Sequence, residues 1–327
     1  MLIDFHSHFI PGTFPALPAG IDEPAWPRMD PDGTMFTGEK KFRVFDDVYW
    51  NVPKRLAAMD AAGLDMQVIS PLPETLSYWL NPKAAVLLTD AMNETCAAMV
   101  AQSHGRMRGF GAVALQSPVE ALRQVGDIKR LGLCGIFVAS HVNGTSIASA
   151  QFHPVLEAAE AAGLMIYVHG YKPGIANKVE GPPLMEAILG VPQENALALA
   201  SFIATDILGK FPALKLVFAH GGGTFGAMLD RMTLVWEKFP DMRKFIKIPP
   251  LEYARRFWVD SVVFGPVYLR YLVERLGADR ILAGTDGPTE IGQTNLAGFI
   301  AEACSNAADR EKISSGTAAA LLGLSAP

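Results

Sequence analysis

Two histidines separated by a single serine stand near the start of the chain: in "IDFHSHF", residues 3–9, they are His6 and His8. In an extended strand alternate side chains share a face, so both imidazoles point one way while Phe5 and Ser7 point the other. That is a chelating geometry and half of a metal site. Taken alone the pair has a plainer reading, with one histidine hydrogen-bonded in the core and the other in solvent. Matching residue types occur downstream, where "MIYVHG" carries His169, "KLVFAHGGG" carries His220 and "ILAGTDG" carries Asp286. Each closes an apolar run. Singly, His169 or His220 reads as a hydrogen-bond donor behind a ligand, and Asp286 as a cap on the next segment. Jointly, three imidazoles and one carboxylate, with a position left for water, suit a catalytic zinc or another borderline divalent ion.

Those residues meet only if the apolar runs end on one rim. Eight β-rich runs are legible, at residues 2–5, 66–70, 109–114, 135–139, 165–169, 215–220, 257–261 and 281–285. Helical patterns rich in Ala and Leu lie between them, at 54–62, 83–103, 119–131, 154–162, 196–210, 224–239 and 266–276. Near-continuous apolar strands alternating with helices predict a parallel sheet covered by helices, and the simplest closure is a (β/α)8 TIM barrel in one domain spanning 1–327. In that fold the C-terminal strand ends share the active-site face. His169, His220 and Asp286 then converge with His6 and His8. Two connections exceed ordinary turns: residues 10–53, rich in Pro and Gly with Trp26, Phe42 and Trp50, and residues 170–195, with Pro173, Pro182, Pro183 and Pro192. They follow strands 1 and 5 and read as pocket walls.

Bulk properties narrow the function. Of 327 residues half are hydrophobic, and 28 Lys plus Arg against 33 Asp plus Glu leave a net charge of −5. No basic run tracks a phosphate backbone, so nucleic acid is not an expected partner. Cys96, Cys134 and Cys304 are distant from one another and never form C-x-x-C, which argues against a disulfide framework and a thiolate zinc site and fits a reducing cytoplasm. The start of the chain lacks a signal-peptide pattern, and no membrane span is expected.

The chain resembles the amidohydrolase superfamily, in its amidohydrolase 2 branch, and within it the decarboxylases of small unsaturated or aromatic acids such as aminocarboxymuconate semialdehyde. The stretches that carry the resemblance are "DFHSHFIP", "KKFRVFDDVYWNVPKRLAAMDAAGLDMQV", "HGGGTFGAMLDR", "FWVDSVVFGP" and "DRILAGTDGP". It implies one zinc ion, or alternatively manganese, bound by His6, His8, His169 and Asp286, with His220 as acid and base beside it. It also implies that Arg43 and Arg231 receive the carboxylates of a small-molecule substrate, and that the protein is a homodimer in which Arg231 reaches the neighbouring subunit's site. The physical case for the arginines is that guanidinium suits bidentate carboxylate recognition, although taken alone either residue reads more readily as a surface charge. The reaction so implied is decarboxylation. Metal-dependent hydrolysis of an amide, lactone or carbon–carbon bond is the alternative that the same ligand set allows.

The remaining polar residues divide by position. Asp260 and Ser261 end the seventh run on the same rim and are expected to hydrogen-bond a ligand or catalytic histidine. His141 either lines the pocket or serves structure, and His104 and His153 fall at helix ends. "GTDGPTE", residues 284–290, departs from the resembled decarboxylases, since Gly287 and Thr289 remove bulk, and a tryptophan of that family is replaced near Ala187. These departures point to a larger or different substrate.

Overall fold

The apolar runs form eight parallel strands, each followed by helix, in the sequential order that a barrel requires. The computed structural model describes residues 1–174, 179–182 and 184–324. The barrel strands are β1 (Ile3–Phe9), β2 (Met66–Pro71), β3 (Met107–Gly111), β4 (Gly135–Ala139), β5 (Met165–His169), β6 (Lys215–Phe218), β7 (Trp258–Asp260) and β8 (Ile281–Leu282). Closure between β8 and β1 is made by backbone bonds: Phe5 N–H donates to Ala283 O at 2.7 Å, Asp286 N–H to His6 O at 2.8 Å, and His8 N–H to Gly287 O at 2.7 Å. The last two bonds fix the metal-ligand candidates of β1 against Asp286.

Around the sheet run α1 (Val52–Ala61), α2 (Pro82–Gln102), α3 (Pro118–Arg130), α4 (His153–Ala162), α5 (Val191–Ala204), α6 (Phe225–Lys238), α7 (Pro266–Leu276) and α8 (Leu296–Ala303). Six of the eight have proline in the first two positions, where its missing N–H costs no helical bond. Their buried faces meet a sheet whose β4 and β5 residues are all buried. Inside the barrel Phe5, Phe110, Phe137 and Tyr167 pack together below the histidines with centroids 5.3–6.0 Å apart.

Three differences from the sequence expectation have local causes. The expected helix 196–210 begins earlier and breaks at Asp206, whose φ of 51° is left-handed, before a short turn Ile207–Lys210. The long connection after β1 carries a three-stranded antiparallel sheet, Pro27–Met29, Thr34–Thr37 and Lys40–Val44, that its Pro and Gly content concealed. Beyond residue 276, where no helix is expected, stand α8 and two short helices, Ala307–Glu311 and Thr317–Leu322, and the turn Lys312–Gly316 between the short helices packs on both β8 and β1. Of the loop prolines named above, Pro183 lies outside the described residues.

Beneath the rim a polar cluster replaces apolar packing. Asp4 is fully buried, accepting from Thr285 Oγ1 at 2.6 Å, Thr285 N–H at 2.9 Å and Gln67 Nε2 at 2.9 Å. Arg55, 2% exposed, donates to Gln67 Oε1 at 2.9 Å and to His8 O at 2.8 Å. Burial lowers its pKa to about 10 and raises that of Asp4. This network ties β1, β2, α1 and the β8 end together directly under His8.

Candidate active site

All five expected residues at the barrel mouth come together. His6 and His8 lie on one face of β1 with their Nε2 atoms 3.1 Å apart, and Asp286 Oδ1 stands 3.4 Å from the first and 3.3 Å from the second. His169, the last residue of β5, completes a set of three ring nitrogens that all lie within 4.8 Å of one another. His220 Nε2 is 3.0 Å from His169 Nε2. Asp286 and His220 sit just past their strands with φ of 65° and 54°. Such backbone is uncommon outside glycine and clusters at functional sites, and here it turns both side chains back over the mouth.

The outer ring nitrogens decide what the inner ones can do. His6 Nδ1 is 2.7 Å from Asp260 Oδ2, and His169 Nδ1 is 2.7 Å from Gly170 O; both partners only accept, so each Nδ1 carries the proton. His8 Nδ1 has the hydroxyl of Ser70 at 3.2 Å as a partner. In the neutral rings the Nε2 atoms of His6 and His169 are therefore left as lone pairs, aimed with His8 and the Asp286 carboxylate at one point. Lone pairs this close repel unless a cation lies between them. The donor set fits a divalent metal ion: a carboxylate and neutral imidazoles, each imidazole held from behind at Nδ1 by a hydrogen-bond partner.

Charge balance agrees. Burial holds His169 well below the ordinary histidine pKa and also lowers His8 and His220. Burial opposes charge on His6 as well, but contact with the Asp260 carboxylate outweighs it and leaves that pKa raised. Asp286 is buried, yet its hydrogen bond to His8 and the surrounding imidazoles hold it below the usual carboxylate range.

The expectation for Asp260 is met, since its Oδ2 holds His6 and also accepts from the Tyr167 hydroxyl at 2.7 Å, while Oδ1 accepts from Gly221 N–H at 3.2 Å and Val262 N–H at 3.0 Å. Ser261 instead turns its hydroxyl to the backbone of Gly284. His141 Nε2 lies 3.3 Å from Lys172 O, and His153 Nε2 lies 3.3 Å from Ala148 O, so both are spent on backbone. His104 is exposed.

Arg43 lies on the strand Lys40–Val44, half-buried, its guanidinium 4.6 Å from the Phe45 ring centroid. Its charge acts on Tyr49 and Glu74, both of which also feel Asp286. Glu74 was not singled out from the sequence; it directly follows β2 in "PLPETL", a rim position that could have identified it. Arg231 stands apart from the histidines. It is exposed on α6, along a groove with Leu197, Met228 and Met232.

Two cavities open at the imidazoles, each of about 580 Å³, one bordered by His220 and the other by His169. Leu184, Ala187 and Val191 border both, so Ala187 stands where the two lobes meet. Gly287 and Thr289 line a third cavity, of about 270 Å³, against α1.

Comparison with known proteins adds a lineage to this geometry. The family model described as amidohydrolase matches residues 3–324. This chain belongs to that family. Among curated amidohydrolase relatives, the 2-amino-3-carboxymuconate-6-semialdehyde decarboxylase of Dictyostelium discoideum is 30% identical, over 98% of this chain and 91% of its own length. The crystal structure of 5-carboxyvanillate decarboxylase from Sphingomonas paucimobilis superposes with a TM-score of 0.78 at 28% identity, covering 86% of this chain and 85% of that one. A dihydroxybenzoic acid decarboxylase from Polaromonas sp. JS666, with bound manganese and 2-nitroresorcinol, shares the fold at a TM-score of 0.76 and 22% identity, covering 98% and 96%. Among the described residues one helical stretch, Glu186–Ala204, is long and apolar enough to cross a membrane, and its α5 portion packs Leu199, Phe202 and Ile203 into the core.

Proposed function

We propose that this amidohydrolase is a metal-dependent decarboxylase of a small unsaturated or aromatic carboxylic acid, with His6, His8, His169 and Asp286 holding one divalent ion and His220 moving the proton. What carries the reading is the convergence of these five side chains in a chain that aligns over 98% of its length with a named decarboxylase. Zinc is the ion that the imidazole-rich set favours, and manganese is bound by a structural neighbour. When bound, such an ion acts as a Lewis acid on oxygen atoms brought to it.

The protein's own groups do the rest. His220 borders a cavity and is kept largely neutral near pH 7 by burial, so it can take a proton and return it to carbon. Decarboxylation needs that transfer: the bond to the carboxylate breaks, carbon dioxide leaves, and the carbon keeps the electron pair and gains the proton. Arg43, beside Glu74 and Tyr49 at the mouth, supplies positive charge for a substrate carboxylate. Arg231 forms no ion pair among the described residues, and Leu197, Met228 and Leu234 around it are more than half exposed. This face supports a homodimer in which Arg231 serves the neighbouring site.

The test is carbon dioxide release from freshly generated 2-amino-3-carboxymuconate-6-semialdehyde and from dihydroxybenzoates, by enzyme loaded with zinc or manganese. His220→Ala should retain metal and lose at least about 10²-fold in rate. Hydrolysis of an amide or lactone without any release of carbon dioxide would overturn the reading.

A further inference from the structure

Among the described residues the cavity bordered by His220 offers a ligand almost nothing polar. Its walls include Ala227, Val262, Val263, Phe264 and Ile291, and the polar residues among them are already engaged. The Tyr268 hydroxyl donates to Gly223 O at 2.9 Å, and Thr224 Oγ1 donates to Gln193 Oε1 at 2.9 Å. Four large apolar side chains stand exposed around this mouth, Leu184 at 70%, Ile188 at 58%, Phe264 at 47% and Ile291 at 63%. Phe264 is moreover held at a φ of 56°, a conformation that an aromatic residue adopts only when its surroundings impose it. The lobe bordered by His169 has the opposite character, with Lys40, Lys41 and Lys172 on its wall beside Glu74 and Glu186. Lys172 holds its ammonium 3.2 Å from the Trp79 ring centroid, a cation fixed in place on an aromatic face.

We propose that the substrate is an amphipathic acid: an unsaturated or aromatic carboxylate carrying an alkyl or aryl substituent of several carbons, with the substituent in the apolar lobe and the acidic end toward the lysine lobe. This rests on the decarboxylase reading and narrows its substrate class. Among the described residues a second carboxylate has no partner in the apolar lobe other than His220, so a compact dicarboxylate fills only half of the available space. Ala227, Val262 and Val263 then set specificity through the room they leave.

The experiment compares ring-substituted 2-hydroxybenzoates bearing hydrogen, methyl, propyl or pentyl groups, using metal-loaded enzyme. In parallel, the corresponding alkylphenols, which have no carboxylate to lose, are titrated calorimetrically. A buried methylene contributes about 0.8 kcal/mol, so kcat/KM and phenol affinity should each rise about fourfold per methylene until the lobe is full. Ala227→Phe should flatten both series while metal content stays at one ion per chain. A phenol series that is flat, or that weakens with chain length, in the parent enzyme overturns the apolar lobe as a substituent site. A graded phenol series with no carbon dioxide from any acid supports occupancy of the lobe and refutes the decarboxylase reading instead. Carbon dioxide release that is fastest for the unsubstituted acid upholds decarboxylation and overturns the amphipathic substrate.

Discussion

Asp260→Asn is the sharpest test of how the metal site is built, because it exchanges one oxygen for an NH2 group and changes almost no volume. In the parent, Oδ2 faces His6 Nδ1 and the Tyr167 hydroxyl, both at 2.7 Å, and Oδ1 accepts two backbone N–H groups, from Gly221 and Val262. If the asparagine keeps its carbonyl on those backbone donors, its NH2 confronts His6 Nδ1. The imidazole must then present a lone pair at Nδ1 and carry its proton on Nε2. That proton points at His8 Nε2, 3.1 Å away, where the ion would sit. If the amide is reversed instead, its NH2 meets two backbone donors, leaving buried N–H groups without acceptors. Either arrangement withdraws His6 from the ligand set or strains its support. Loss of such a partner behind a metal-ligating histidine costs 10- to 100-fold in affinity, or about 1.4–2.7 kcal/mol. The assay is competition for zinc or manganese with a chromogenic chelator. Nitrogen NMR of His6 should report a change from the Nδ1-protonated to the Nε2-protonated ring. Tyr167→Phe is the graded control; it removes one donor to Asp260 but leaves the His6 contact, and should cost less than about tenfold. Metal affinity within twofold of the parent, with the His6 tautomer unchanged, would refute the assignment of Asp260 as the group that orients this ligand.

Metal binding should release protons as the pH falls toward the raised pKa of His6. Contact with Asp260 raises the pKa of His6 above the ordinary range, whereas burial keeps the His8 and His169 rings neutral. Affinity therefore falls on acidification through the raised pKa of His6, and calorimetry in buffers of different ionisation enthalpy reads the proton; the absence of any release contradicts the pairing. The same shift gives the metal-free protein a contribution to stability from His6 that is full below about pH 6.5 and is lost as pH rises through its folded value. Gly223→Ala should lower the urea unfolding free energy by at least about 2 kcal/mol, since φ there is +64° and a Cβ would fall 1.7 Å from Pro192 O. Arg231→Glu should weaken self-association about 30-fold or more in sedimentation, while each chain still binds one metal ion; unchanged association removes Arg231 from the interface.

How much of this was legible in the sequence follows from the period of each signal. The H-x-H pair carries its own geometry, because a strand repeats every two residues, and polar residues that end apolar runs carry theirs once the runs are read as parallel. Asp260 was legible for the same reason. Tyr167 was not, since within "MIYVH" an aromatic reads as core, and only the fold shows its hydroxyl reaching across to Asp260. Arg55 was hidden inside an amphipathic helix pattern, where an arginine normally faces water; burial beside Gln67 and Asp4 is a tertiary fact. The short strands in the loop after β1 were masked by Pro and Gly, which mark turns more strongly than three to five residues can mark a strand.

The two kinds of residue also differ in what they do. Residues legible from spacing are those whose atoms converge on one point, because convergence constrains position along the chain. The illegible ones, Tyr167, Arg55 and Gln67, act through another side chain or backbone and can be supplied from any element that packs nearby. The lobes belong to this second kind. Ala187 was marked only by the resemblance, as a place where a tryptophan is missing, and Ala227, inside α6, carried no mark of the room beside it. The metal site is thus written in the ligands, while the walls that would select a substrate take their meaning only when the residues around them are in place.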